Sequence, residues 1–302
     1  MTTMTSDTPT ALSPRARVLG ATLIALLILT LFGIVTALLG FTVTEAWARE
    51  RSSRTSSSEA RRHAGDDFDW NGVLAPGRTI EVQGINGSIR AEAAGGRGAE
   101  VHAEKSARKS DPDEVKIEAH ETADGVMICA RYPRPDGDLN DCEGSQQTRN
   151  NDVQVDFTLK VPAGVHLVAH TVNGAVEVDR LSGDVSVNTV NGSIDISTSA
   201  EAEAQTVNGS IHARVGRDHW SGGTFQTVNG AVVVTLPEGV DADVRASTVN
   251  GHVSSDFEMV VTGRISSRRL HGTIGKGGNM LSLATVNGEI ELRSSGGSKP
   301  RR

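Results

Sequence analysis

Large aromatic side chains are almost missing from this chain: of 302 residues six are Phe, three Trp and one Tyr, 3% together. A core without them must be filled by Val, Ile, Leu and Ala, which suits thin, regularly layered β structure better than a bulky globule. A basic excess is missing too. The formal net charge is -7, and a nucleic-acid binder would be expected to carry a basic footprint, so no nucleic-acid partner is expected.

Cysteine is confined to Cys129 and Cys142, separated by a stretch that contains Pro133, Pro135, Gly137 and Asp138. The pair is a disulfide candidate; closing so short a loop would stabilise the fold by roughly 3 kcal/mol. Such a bond persists only in an oxidising compartment, and the alternative is two unpaired thiols. Two ligands without a second Cys or His pair do not make the usual zinc spacing.

Catalytic signatures are lacking as well. The nine His are scattered, with no H-E-x-x-H, no G-x-S-x-G elbow, no phosphate-cradling loop and no G-G-x-G-x-D calcium repeat. Glu177, Asp179, Asp184 and Asp195 lie close in sequence and could flank a polysaccharide groove as paired carboxylates. Strand alternation places them more naturally on a solvated face, and Trp220 is the one ring of its size within the repeats. We therefore assign no catalytic residue, no cofactor and no metal ligand, and a polysaccharide-active enzyme is the least favoured function.

What the chain does have begins with an apolar run. From Val18 to Phe41 no residue is charged, and 24 helical positions at about 1.5 Å each reach roughly 36 Å, enough to span a bilayer core of about 30 Å. Residues 18–41 are thus expected to be a single transmembrane helix in contact with the lipid bilayer, after a short tail, 1–17. A cleaved signal peptide ending near Ala46-Trp47-Ala48 is the alternative, but its apolar region is normally only about 7–15 residues. Arg15 and Arg17 precede the run, whereas Arg49, Arg51, Arg54, Arg61 and Arg62 follow it. Taken literally, that count keeps the bulk of the chain in the cytoplasm. The interspersed Glu45, Glu50 and Glu59, the weakness of the rule for long domains and the cysteine pair favour an extracytoplasmic domain on the cell membrane. Residues 42–67 read as a polar Arg/Ser-rich tether, and 294–302 as a disordered basic tail.

The second half is periodic. Six identical Thr-Val-Asn-Gly tetrads carry Asn173-Gly174, Asn191-Gly192, Asn208-Gly209, Asn229-Gly230, Asn250-Gly251 and Asn287-Gly288. Leu270-His271-Gly272 reads as a degenerate copy, and Ile85-Asn86-Gly87-Ser88-Ile89 as an earlier outlier. One unit per 16–21 residues is solenoid-sized. Each tetrad leads into alternation such as Val176-Glu177-Val178 or Ile194-Asp195-Ile196, the mark of a strand with one buried face. Asn-Gly marks a turn, and positive φ at the glycine would explain its choice. Two architectures satisfy the pattern: a β-solenoid whose asparagines stack as a ladder, or antiparallel hairpins in which Val187 would face Ile196. The identity of the tetrads favours the solenoid, since a ladder requires its turns to match. If Thr and Asn, two apart, both faced solvent they would form a flat recognition ladder. Within 68–164 the strands read at Thr79–Val82, Val115–Ile117, Val126–Ile128 and Val153–Phe157 are expected to be irregular first rungs and a cap with the cysteine loop; a separate small β domain is the alternative. Residues 165–293 are the repeat region.

An N-terminal apolar helix, a polar tether and repeated V-N-G-x-[IV] units are similar to the bacterial toastrack domain family, adhesin-like proteins of β-strand repeats. The similarity covers roughly Gly72 to Leu292 and rests on the six tetrads together with Gly84-Ile85-Asn86-Gly87-Ser88-Ile89. It implies an all-β, β-helical extracytoplasmic body for adhesion, or for sensing and scaffolding at the cell envelope, with no catalytic residues to carry over. Leu270-His271-Gly272 departs from the family pattern. The function expected is a binding or scaffold module in envelope sensing or stress response with a protein partner; the alternative is an adhesin or structural surface protein.

Overall fold

The computed structural model describes residues 63–142, 151–216, 220–262 and 266–296. The transmembrane run 18–41, the tail before it and most of the tether lie outside the described residues, as do 297–302. Among the described residues there are 22 strands and one short 3-10 turn, Pro112–Glu114, and no helix long and apolar enough to cross a membrane.

The repeats form coils. Each rung sends one strand into the first sheet, turns at an Asn-Gly corner and returns a second strand in the other sheet; both sheets have 11 strands. We name rungs by their corner asparagine. The Asn173 rung pairs His166–His170 with Val176–Leu181, and the Asn191 rung pairs Val185–Asn188 with Ile194–Thr198. Neighbouring rungs run parallel and in register: Val187 lies beside Ala169 and Ala204, and Ile196 beside Val178 and Ala213. The hairpin alternative is thereby excluded, because Val187 and Ile196 occupy different sheets. Alternation does the rest. Inward residues such as Val185, Val187, Ile194 and Ile196 are buried while the residues between them are not, so both sheets contribute to one core of Val, Ile, Leu and Ala, with Tyr132, Phe157, Trp220 and Phe225 the bulky members.

Rung order in space is not order in sequence. The Asn86 rung (Thr79–Gln83, Ile89–Ala93) lies between the Asn173 rung and one formed by Gly125–Arg131 and Gln154–Val161. At the other end the final strands, Asn279–Asn287 and Ile290–Ser294, insert between the Asn229 rung (Gly222–Asn229, Val232–Leu236) and the Asn250 rung (Ala242–Asn250, Val253–Ser255). The chain skips a slot, makes the outermost rung, and comes back to fill the gap.

The segment that comes back corrects one sequence expectation. Leu270-His271-Gly272 is not a corner; it lies inside Arg269–Ile274, which pairs antiparallel with Ala242–Asn250, Gly272 facing Val244. That strand covers an otherwise open edge, as do Lys116–Glu121 and Gly98–Ala107 at the opposite end. Near the latter, Asp152 accepts backbone N–H groups of Ser110, Arg108 and Lys109, which hold its carboxyl down to about 2. Lys105, buried, is matched by Asp113 at 2.7 Å.

The corner explains why the tetrad is so invariant. Thr171, Thr189, Thr206, Thr227, Thr248 and Thr285 point inward and are 4–6% exposed. Each hydroxyl donates to the glycine carbonyl of the adjacent rung, for example Thr206 to Gly192 at 3.0 Å and Thr285 to Gly230 at 2.9 Å. The ladder expectation of positive φ at the glycines fails: of the ladder glycines only Gly87 has it, at 129°. What excludes a side chain is contact. A Cβ on Gly174, Gly192, Gly209, Gly230, Gly251 or Gly288 would meet the neighbouring glycine's carbonyl oxygen at 1.8–2.0 Å. Because Thr faces the core, Thr and Asn share no outward face, and the flat Thr–Asn recognition ladder does not form.

The corner contacts rank three substitutions by their cost in stability. Gly209→Ala, which drives a Cβ into the Gly192 carbonyl, is expected to cost about 3 kcal/mol or more in urea unfolding. Thr206→Val, leaving a buried acceptor unpaired, should cost about 1–3 kcal/mol, and the exposed Asn208→Ala about 1 kcal/mol; a glycine variant as stable as the asparagine variant would contradict the corner contact. For Asp152 the folded group titrates near 2 and the unfolded one near about 3.9, so its contribution is full above pH ~4 and lost as pH falls toward ~2. The stability gap between the parent and Asp152→Asn should therefore shrink on acidification across that window, and a gap independent of pH would contradict it.

Candidate functional site

At each corner Asn turns outward where Thr turns in, and the Val between them is exposed at Val190 and Val249 and half-buried elsewhere, Val172 packing against the core. The asparagines form one continuous hydrogen-bonded file. In each pair the Nδ2 group donates to the next Oδ1 at 2.8 Å, in the order Asn250, Asn287, Asn229, Asn208, Asn191, Asn173, Asn86. The file ends where Asn86 donates to the Val153 carbonyl and the buried Tyr132 hydroxyl donates to the Asn86 carbonyl at 3.2 Å. Beside it runs a parallel file of valines, of which Val190 and Val249 are 40% and 57% exposed. The result is a repetitive edge with a polar row beside a partly exposed apolar one at the strand spacing of about 4.8 Å.

The candidate carboxylates lie elsewhere, on outward-facing strand positions, and each has a basic neighbour. Glu177 and Asp195 sit side by side in register; Arg90 donates to Glu177 at 3.1 Å, and Arg214 lies 4.0 Å from Asp195. Asp179 pairs with Arg180 and Asp184 with His166. All four lie on the solvated surface, each beside an Arg or His side chain.

Cys129 and Cys142 are joined as a disulfide, with Cα atoms 5.7 Å apart. Their neighbourhood holds a residue that sequence reading left out. Strands Lys116–Glu121 and Gly125–Arg131 form a hairpin in which Glu118 lies opposite Cys129, so His120, two residues on, projects from the same face. His120 and the two sulfurs come within 4.8 Å of one another. The available signal was the alternation of Glu118 and His120 around the turn at 122–124.

A second feature missed in sequence is an open groove of about 380 Å³ on the outer face near the last rungs, lined by Arg245, Arg269, His271, Thr262 and Ser282. Reading Leu270-His271-Gly272 as a corner hid it, since the groove depends on Arg269–Ile274 lying antiparallel to Ala242–Asn250.

Among curated proteins no match was found. Solved structures do resemble the chain. A provisionally named cell adhesion protein from Clostridium sporogenes ATCC 15579 aligns at 8% identity over 76% of this chain and 100% of its own, with a TM-score of 0.46. Provisionally named adhesins from Bacteroides fragilis NCTC 9343 and Parabacteroides merdae ATCC 43184 align at 8% and 9% identity, over 75% and 76% of this chain and 97% and 96% of their own, with TM-scores of 0.27 and 0.24. The family whose model the repeat region matches, over residues 169–293, is Toastrack DUF4097.

Proposed function

We propose that the chain is a membrane-anchored, extracytoplasmic β-repeat module that binds or scaffolds a protein partner at the cell envelope, in sensing or stress response, and is not an enzyme. The observation that carries the reading is the outward Val–Asn edge: a rigid surface, repeated at every corner and backed by a continuous core, offers extended contact instead of a pocket for chemistry. The Cys129–Cys142 bond supports export, because such bonds persist in oxidising compartments. The apolar run 18–41 supplies the anchor. The carboxylates that would carry hydrolysis are engaged with Arg and His neighbours on the solvated face. A second reading, an adhesin or structural surface protein, is favoured by the strand Val260–Val261 at the end of one sheet, where Val260 is 72% exposed and offers an edge for pairing with another chain.

A membrane-impermeant maleimide applied to intact cells is expected to label Cys142, the more accessible of the pair, only after reduction. Labelling that requires lysis but no reductant would overturn the extracytoplasmic reading. With a photo-crosslinking residue at Val249, the binding-module reading expects a crosslink to a different envelope protein, and a crosslink to a second copy would favour the adhesin reading instead.

A further inference from the structure

The cysteine pair sits in a more specific setting than a structural bridge requires. Cys129 is 1% exposed on Gly125–Arg131, and Cys142 closes over it from the loop that follows. That loop is tied down without the disulfide. Arg131 Nε donates to the Asn140 carbonyl at 2.8 Å, the Asn140 amide donates to the Tyr132 carbonyl at 2.9 Å, and the Tyr132 amide donates to the buried Asn140 Oδ1. Arg134 N–H donates to the Asp138 carbonyl at 2.7 Å, closing the tip. These contacts hold the loop as far as Asn140 independently of the sulfur bond, so reduction leaves the two thiols near each other, with Cys142 able to draw back enough to admit an ion.

His120 completes the group. Its Nε2 lies 3.1 Å from Glu118 Oε2, and Arg131 Nη1 holds the other Glu118 oxygen at 2.8 Å. A carboxylate on one imidazole nitrogen fixes the ring and leaves the other nitrogen, Nδ1, to coordinate, which is the arrangement that orients histidines at metal centres. Two sulfurs and an imidazole within 4.8 Å suit a thiophilic ion such as Zn²⁺ or Cd²⁺. His120 is half-exposed, so a fourth position faces solvent.

We propose that Cys129, Cys142 and His120 form a redox-gated site for a thiophilic metal ion, closed while the cysteines are bonded and open once they are reduced. Opening takes two electrons and two protons from a dithiol, which leaves as its own disulfide; the sulfur–sulfur bond breaks and two thiols form. The ion then binds both sulfurs as thiolates and releases the two protons to solvent. The site needs no movement of the surrounding strands, and it is independent of the role proposed for the Val–Asn edge.

The test uses the full chain in detergent, titrated with Cd²⁺ and followed by the ultraviolet thiolate-to-cadmium charge-transfer band. The reduced chain is expected to bind one ion per chain and the oxidised chain none. His120→Ala should weaken binding at least about tenfold, since losing even an outer partner costs that much, and His120→Cys, which restores a third ligand, should recover it. Glu118→Gln should weaken binding less than His120→Ala. A reduced chain without a stoichiometric band, an oxidised chain that binds equally well, or a His120→Ala variant with the parent's affinity would each overturn the proposal.

Discussion

Six glycine corners approach their neighbours so closely that a single added carbon would meet a carbonyl oxygen at 2.0 Å or less, and most of the architecture depends on that approach. Adjacent rungs can reach strand spacing at the corner only if nothing projects between the two backbones. Once they do, the glycine carbonyl receives the next threonine hydroxyl and the glycine amide reaches the next asparagine carbonyl, as Gly209 does to Asn229 at 3.0 Å. Threonine is thereby turned into the core, and asparagine is turned out. The tetrad is one packing solution repeated, with its inner half holding the rungs together and its outer half presenting a surface.

The interleaved ends follow from the same uniformity. Because all corners are alike, the Asn287 rung joins the file between Asn229 and Asn250 through the same asparagine contacts that link the other rungs. Inserting the last rung pairs the C-terminal strands on both sides, and the Asn86 rung is likewise paired on both sides near the start. What remains at the sheet ends is mostly antiparallel cover or a short strand such as Val253–Ser255, the devices that keep open edges from pairing with other chains.

Much of this was legible in the residues. The recurrence of Thr-Val-Asn-Gly marked the corners, alternation in Val176–Val178 and Ile194–Ile196 marked the buried faces, and the identity of the tetrads pointed to parallel stacking. Other features depend on contacts between distant segments. The reason for glycine is one: backbone torsion and close approach ask for the same residue, and only the neighbouring rung tells them apart. Rung order is another, since identical tetrads carry no record of which lies beside which. Leu270-His271-Gly272 mimics a corner because its glycine is also in a tight place, against Met259 and the Val260 carbonyl. His120 joins the cysteines only through the hairpin register, in a stretch of modest alternation.

The rungs are coupled neighbour to neighbour in the spatial order Asn229, Asn287, Asn250, and double-mutant cycles in urea unfolding read that coupling. Asn229→Ala combined with Asn287→Ala, 58 residues apart in sequence yet joined at 2.8 Å, should be non-additive by about 0.5–1 kcal/mol. Asn229→Ala combined with Asn250→Ala, consecutive tetrads separated in space by the Asn287 rung, should be additive. Coupling in the second pair and additivity in the first would contradict the interleaved ladder.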